Sequence, residues 1–275
     1  MSKEKIRFSM GRICGYFGYS RQGYYKHRQL EQARRTEADL IVTAVREIRK
    51  TQPRVGSRKL KNMLYPEGID ISRDRLFDIL RNNKMLIEKQ RAYHKTTNSL
   101  HGLRYHPNLI KDLEILRPAQ VYVSDITYIH TLEGFMYLSL VTDHYSRKIV
   151  GYDLSESLSV EGSLRALKMS LKHVKNTQTL IHHSDRGIQY CSKAYTDMLR
   201  DHGVSISMTE DDHVYENALA ERVNGILKDE FYLGQTLRSK TIAHKLVRDS
   251  IKIYNQKRLH MALNYHTPDS VFYAA

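Results

Sequence analysis

An apolar, strand-like run, QTLIHHSD, ends in Asp185, and after thirty-five intervening residues a helical pattern, ENALAERVNGILKDEF, carries Glu221. Upstream, VYVSDITYI places a third acid, Asp125, in a short run of β-forming residues that includes Tyr122, Ile126, Tyr128 and Ile129. Two acids at strand ends and one on a helix can converge on a single point only if strands and helix pack together, so an α/β architecture is required. A cluster of carboxylates of this kind suits hard divalent cations, which prefer oxygen ligands and accept phosphate oxygens as the remaining ones. A lone Asp at a strand end is more often a turn or cap residue, and it is the conjunction of three that points to chemistry.

The distribution of charge points to the substrate. Residues 1–110 hold 24 Lys and Arg against 10 Asp and Glu, whereas residues 111–275 hold 20 of each, so the whole net charge of +14 lies in the first part. A basic module followed by a neutral, acid-containing domain fits a protein that holds a polyanion with one part and works on it with the other. No apolar run approaches the roughly 20 residues that span a bilayer, and MSKEKIRFSMGRIC has no apolar signal core. A cytoplasmic, nucleoid-associated protein without a membrane partner is expected. Cys14 and Cys191 stand far apart, which argues against a disulfide scaffold and a zinc knuckle.

Taken in order, Ser20 is placed to cap a long basic helix running to about Lys50, with Leu40, Ile41, Val45 and Ile48 at helical spacing. Ser57 and Ser72 can each cap a shorter helix, and Pro66 and Gly68 punctuate between them. This is a helix-turn-helix pattern, with Arg58 and Lys59 on its first helix and Arg73 and Arg75 on its second as candidate DNA contacts. Residues 1–85 are thus expected to form a basic helical DNA-binding module. Residues 86–118 show weak periodicity and read as a linker, whose Tyr93, His94, Tyr105 and His106 alternate with Arg91, Lys95 and Arg104 in a composition that suits nucleic acid or ordinary packing.

From Gln120 the pattern turns to strands. VYVSDITYI, FMYLSLVTDHY and KIVGYDL, with turns at Glu133 and Gly134 and at Ser146 and Arg147, make an antiparallel meander of three strands. A helix over 163–173, a strand ending in Asp185, the helix SKAYTDMLRDHG, the strand VSISM and the Glu221 helix follow. The expected catalytic core, 119–232, is therefore a mixed sheet with helices on both faces, and 233–275 adds a helix over 239–257 and a short tail.

On the last core helix Glu221, Gly225 and Lys228 share a face, so Lys228 is a candidate for the phosphate track leading to the acids. Two divalent ions about 3.5 to 4 Å apart can activate an attacking hydroxyl and stabilise the departing oxygen in an in-line displacement at phosphorus. Asp125 would bridge both, Asp185 would hold one and Glu221 the other. His182, His183, His213 and His260 are read as surface or packing residues, since metal-binding histidines need several converging partners. Arg258 with His260 is a further candidate phosphate contact.

The motifs VSDITYI, SRKIVGYDL, HSDRGIQY, ENALAERVNGILKDE and YNQKRLHMALNYHTP occur in this order, preceded by GYSRQGYYK and the helices of VGSRKL and ISRDRLFDIL. Across almost the whole chain this resembles the downstream-frame, OrfB-type transposases of bacterial insertion sequences encoded by two overlapping frames, whose catalytic core is similar to that of retroviral integrases. The resemblance implies a ribonuclease-H-like fold with Asp125, Asp185 and Glu221 as its DDE triad. It implies an enzyme that uses Mg²⁺ or Mn²⁺ to cut DNA at element ends and to transfer the 3′-hydroxyl to target DNA. It also implies an upstream-frame protein as partner, often through a frameshift fusion, and homo-oligomers on DNA. Tyr122 and Tyr152 stand where the family commonly has Trp, and the loop TEDDHVYE puts Asp211, Asp212 and Glu216 where they repel DNA unless they face away. The competing readings are a nuclease of the same fold, which cuts without joining, and a DNA-binding regulator with an inactive core, in which an acid would be expected to be missing; none is.

Overall fold

The computed structural model describes residues 9–88, 105–210 and 217–274, which divide into two compact units. Described residues up to 50, with 60–86, form the first; residues 51–59, with those from 87 onward, form the second.

In the first unit, α1 (Met10–Tyr16) is capped by Ser9 and followed by a turn in which Gly18 takes φ 71°, a left-handed conformation that costs glycine little. Ser20 Oγ then accepts a 2.9 Å bond from Gly23 N at the start of α2 (Arg21–Thr51), which stops just before Pro53. Only the later part of α2 is buried, through Ile41, Val42 and Val45. α3 (Ser57–Leu64) and α4 (Arg73–Asn82) contribute Leu60, Leu64, Leu76, Ile79 and Leu80 to the interior. Ser72 Oγ caps α4 by accepting from Arg75 N at 3.2 Å, and Pro66 and Gly68 occupy the break as the sequence predicts.

The second unit is built on a five-stranded sheet in the order β3-β2-β1-β4-β5. The strands β1 (Val121–Thr131), β2 (Gly134–Asp143) and β3 (Ile149–Ser155) form the antiparallel meander, and β4 (Ile181–Ser184) and β5 (Ser205–Met208) run parallel to β1. Alternation along β1 sorts its side chains between two cores. Val121, Val123 and Ile129 pack towards α8 (Ala218–Glu230) and α9 (Lys240–Gln256), while Tyr122 packs with α5 (Val160–Leu171) and α7 (Lys193–Asp201). Gly151 allows α5 to lie flat on β3, because a Cβ there would collide with the Ala166 carbonyl oxygen. The mixed sheet with helices on both faces is the expected ribonuclease-H-like arrangement. A short α6 (Ile188–Cys191) precedes α7, and α10 (Pro268–Tyr273), opened by a Thr267/Ser270 capping box, closes the chain.

Three placements differ from expectation. β1 is eleven residues long, so Asp125 is its fifth residue and lies within the ladder rather than at a strand end. Residues 51–59, expected in the N-terminal module, cluster with the second unit, where Val55 is buried and Gln52 Nε2 donates to the Lys257 carbonyl at 3.3 Å. Residues 105–111, expected in a linker, lie on the sheet: Met208 N donates to Pro107 O at 3.3 Å and Leu109 N to Ser207 Oγ at 2.8 Å. Tyr93, His94, Arg91, Lys95 and Arg104, the acidic loop with Asp211, Asp212 and Glu216, and His213 lie outside the described residues. Among the described residues, no helix is long and apolar enough to cross a membrane.

Candidate active site

The parallel pairing of β1 with β4 ends at Ser124 opposite Ser184, so the next residues on the two chains are Asp125 and Asp185. Adjacent strands stand about 4.8 Å apart, which makes these two carboxylates neighbours across the strand gap. Asp125 remains in the β1–β2 ladder opposite Leu140, whereas Asp185 has left β4 and turns back on itself, Oδ1 accepting from Gly187 N at 3.0 Å.

The helix α8 supplies the rest of the site. Asn217 Nδ2 donates to the Ser124 carbonyl at 3.1 Å, fixing the start of α8 beside the residue that precedes Asp125. One turn on is Glu221, exposed in the first turn, and one turn further Asn224 Nδ2 donates to Asp125 Oδ2 at 2.8 Å. Glu221, Asn224, Gly225 and Lys228 follow the i, i+3, i+4, i+7 rule and share one face of the helix. Asn224 escaped sequence reasoning, although its spacing of three from Glu221 places it on that face.

Electrostatics register the convergence. Burial pushes the Asp125 carboxyl up to about 7, and the charges of Asp185 and, more weakly, Glu221 add to the rise. Hydrogen bonds from Asn224 and from Ile126 N, at 2.8 Å to Oδ1, pull it back down. Burial lowers the Lys228 pKa while the charge of Asp125 raises it, so the ammonium feels the same carboxylate. Crowded oxygen anions whose mutual repulsion a cation relieves are the donor set that Mg²⁺ or Mn²⁺ takes. Among the described residues, however, no three such groups stand close enough together to hold an ion as they are placed.

The candidate DNA contacts fall into two sets. Arg58 on α3 and Arg73 on α4 are exposed, Arg73 pairing with Asp74 at 2.8 Å, and Arg75 reaches Glu37 at 3.4 Å. Lys59, Arg258 and His260 are instead spent inside the second unit. The Arg258 guanidinium, only 4% exposed, holds Glu230 through Nη2 at 2.7 Å and Nε at 2.8 Å, Lys59 Nζ reaches the same carboxylate at 2.9 Å, and Arg258 Nη1 lies 2.9 Å from His260 Nε2. Burial, with the nearby Arg258 charge, lowers Lys59 to about 8, and burial, then Arg258, takes His260 to about 3. In the same motif Asn255 exchanges two 2.9 Å bonds with the backbone of Ile149, and Tyr254 OH donates to the Arg147 carbonyl at 3.0 Å, so YNQKRLH fastens α9 to the edge strand β3. His182 and His183 are fully buried and hydrogen bonded, as packing residues should be.

A meander of three strands followed by two further parallel strands, with helices on both faces, is the ribonuclease-H-like fold of the integrase core. Two models described as an integrase core domain match residues 116–213 and 202–268. The "Insertion element IS600 uncharacterized 31 kDa protein" of Shigella sonnei is 35% identical over 261 residues, 93% of this chain and 96% of its own. The "Transposase InsF for insertion sequence IS3A" of Escherichia coli K12 is 30% identical over 268 residues, 94% and 92% of the two chains. A simian T-cell lymphotropic virus intasome structure, in complex with a PP2A regulatory subunit, shares the fold over 80% of this chain and 72% of its own, with a TM-score of 0.50 and 14% identity. The chain belongs to the IS3 family of OrfB-type transposases, DDE-type enzymes that act on DNA.

Proposed function

We propose that Asp125, Asp185 and Glu221 are the DDE triad of this chain, and that they serve cleavage of the DNA at the element's ends and transfer of the resulting 3′-hydroxyl to target DNA. The observation that carries the reading is the pairing of β1 with β4, which brings Asp125 and Asp185 side by side, under a helix that hydrogen-bonds Asp125 and bears Glu221. The three carboxylates would hold Mg²⁺ or Mn²⁺, two ions in the active complex, and when bound these supply the charge stabilisation at phosphorus that in-line displacement needs. Asn224 orients the Asp125 carboxylate, and Lys228 offers a cation to the phosphate next to the scissile one. Arg73 and Arg75 of the first unit, and the exposed Arg58 at the start of α3, are offered as contacts to the DNA backbone, through which the chain holds element ends as a homo-oligomer alongside the upstream-frame protein. The retained acids favour an active enzyme over a DNA-binding regulator.

The test is a strand-transfer assay with labelled DNA carrying the element's ends, run with the upstream-frame protein present. Joined products that require Mg²⁺ or Mn²⁺ and vanish in both Asp185→Asn and Glu221→Gln are expected. Joining that survives either substitution removes that residue from the triad, and nicking without joining supports the nuclease.

A further inference from the structure

β4 is a short support for a reacting group: four residues, Ile181–Ser184, paired with β1 on one side and β5 on the other, with Asp185 already beyond the ladder. Backbone pairing therefore stops one residue short of the Asp185 side chain. Two adjacent histidines make up the difference, and because neighbouring strand residues point to opposite faces, they do so in opposite directions. His182 Nε2 lies 2.8 Å from Ser124 Oγ and 2.9 Å from Tyr195 OH, joining β4 to the residue before Asp125 and to α7. His183 Nδ1 lies 2.8 Å from Ser207 Oγ on β5. That hydroxyl oxygen also accepts from Leu109 N at 2.8 Å, so one side chain on β5 ties His183 to a further segment of backbone. Past Asp185, Arg186 Nε donates to the Thr209 carbonyl at 2.7 Å.

We propose that His182 and His183 are positioning residues for the metal site: lateral struts, through Nε2 and Nδ1 respectively, that hold Asp185 level with Asp125. The inference rests on the assignment of Asp125 and Asp185 as metal-holding carboxylates. Side chains that orient ligands typically carry 10- to 100-fold in metal affinity, and the atoms used make a sharp forecast. The amide of glutamine reaches where Nε2 does and that of asparagine where Nδ1 does, so the tolerated replacement differs between the two neighbours. His182→Gln and His183→Asn preserve the struts, whereas His182→Asn and His183→Gln put equally polar groups in the same places but out of reach.

The experiment is a Mn²⁺ titration of the full chain without DNA, followed by the electron paramagnetic resonance of the free ion, with far-UV circular dichroism to verify folding. Asp185→Asn is expected to abolish the site. His182→Asn and His183→Gln are expected to weaken it on the order of 10-fold while the opposite pair stay near the native value. Ser207→Ala and Ser124→Ala, small truncations that remove the partner hydroxyls, should weaken it as well. Ser207→Ala should add little on top of His183→Gln, since both break one bond. Should Asp185→Asn abolish binding while the Asn and Gln replacements at each histidine behave alike and the serine truncations are silent, the struts are overturned and the metal reading stands. Mn²⁺ binding that survives Asp185→Asn overturns both.

Discussion

Without a bound cation, Asp125 is a cost to the fold, and removing its charge should stabilise the catalytic unit in a way that depends on pH. Its pKa rises from 3.8 to about 7, chiefly through burial and then through Asp185. The folded chain therefore keeps a proton that the unfolded chain has released between about pH 4 and pH 7. Stability falls as the pH rises through that window and is lowest above it. A rise of about 3 units corresponds to roughly 4 kcal/mol at most, and because Asp125 is only partly buried about half of that, near 2 kcal/mol, is a sounder figure. Asp125→Asn keeps the shape but has one oxygen for two donors, Ile126 N and Asn224 Nδ2, and so forfeits a hydrogen bond of about 1 kcal/mol. In EDTA the variant should accordingly be more stable than the native chain by about 1 kcal/mol at pH 8 and less stable by a similar amount at pH 4, with a crossing between. Amide hydrogen exchange of peptides from β1, compared between the two proteins at each pH so that intrinsic rates cancel, reads this directly. A difference of constant sign and size from pH 4 to pH 8 would refute the coupling of Asp125 to its neighbours.

Other substitutions separate the roles of nearby groups. Asn224→Ala removes a bond that lowers the Asp125 pKa, so the pH at which Mn²⁺ binding half-develops should move upward, as a titration across pH 6 to 9 would register. Lys228→Ala should reduce the slope of log affinity for DNA against log salt by about 1 if the ammonium meets one phosphate. Arg258→Ala strips Glu230 of a buried partner and should cost about 2 to 3 kcal/mol in denaturant unfolding, below the range for fully buried pairs because Glu230 is 20% exposed. The same variant, while folded, should leave that salt slope unchanged, and a loss of about 1 would return Arg258 to the phosphate contacts. Gly151→Ala forces α5 away from β3 and should destabilise the catalytic unit by about 1 to 3 kcal/mol or more, seen as faster exchange throughout the meander.

Periodicity made most of the fold legible. The meander and its turns at Glu133 and Gly134, the α8 pattern and the caps at Ser20 and Ser72 all follow from alternation, helical spacing and capping chemistry. Asp125 is legible as an acid within a β-forming run, but that β1 pairs with β2 as far as Thr131 while its pairing with β4 stops at Ser124 is not, because no local signal marks where each partner strand ends. The roles of Lys59, Arg258 and His260 were illegible for a different reason. An arginine at a phosphate and an arginine on a buried glutamate look the same in sequence, and Glu230 lies 28 residues from Arg258 and 171 from Lys59. Asn224 and the two histidine struts depend likewise on partners from distant strands.

The insertion of residues 51–59 into the catalytic unit bears on how this gene can be cut. A fragment begun at Ile87, or at the first strand, would look like a complete core in an alignment, yet it would lack the buried Val55, the Gln52 bond to Lys257 and the Lys59 cation that helps neutralise Glu230 at the end of α8. One begun at the first strand would also strip Ser207 of the Leu109 amide. Because the two units are interleaved along the chain, exchanging the first unit for another while keeping residues 51–59 requires three splice points, after residues 50, 59 and 86, the second of them inside α3, or a donor segment that brings its own equivalents of Val55 and Lys59.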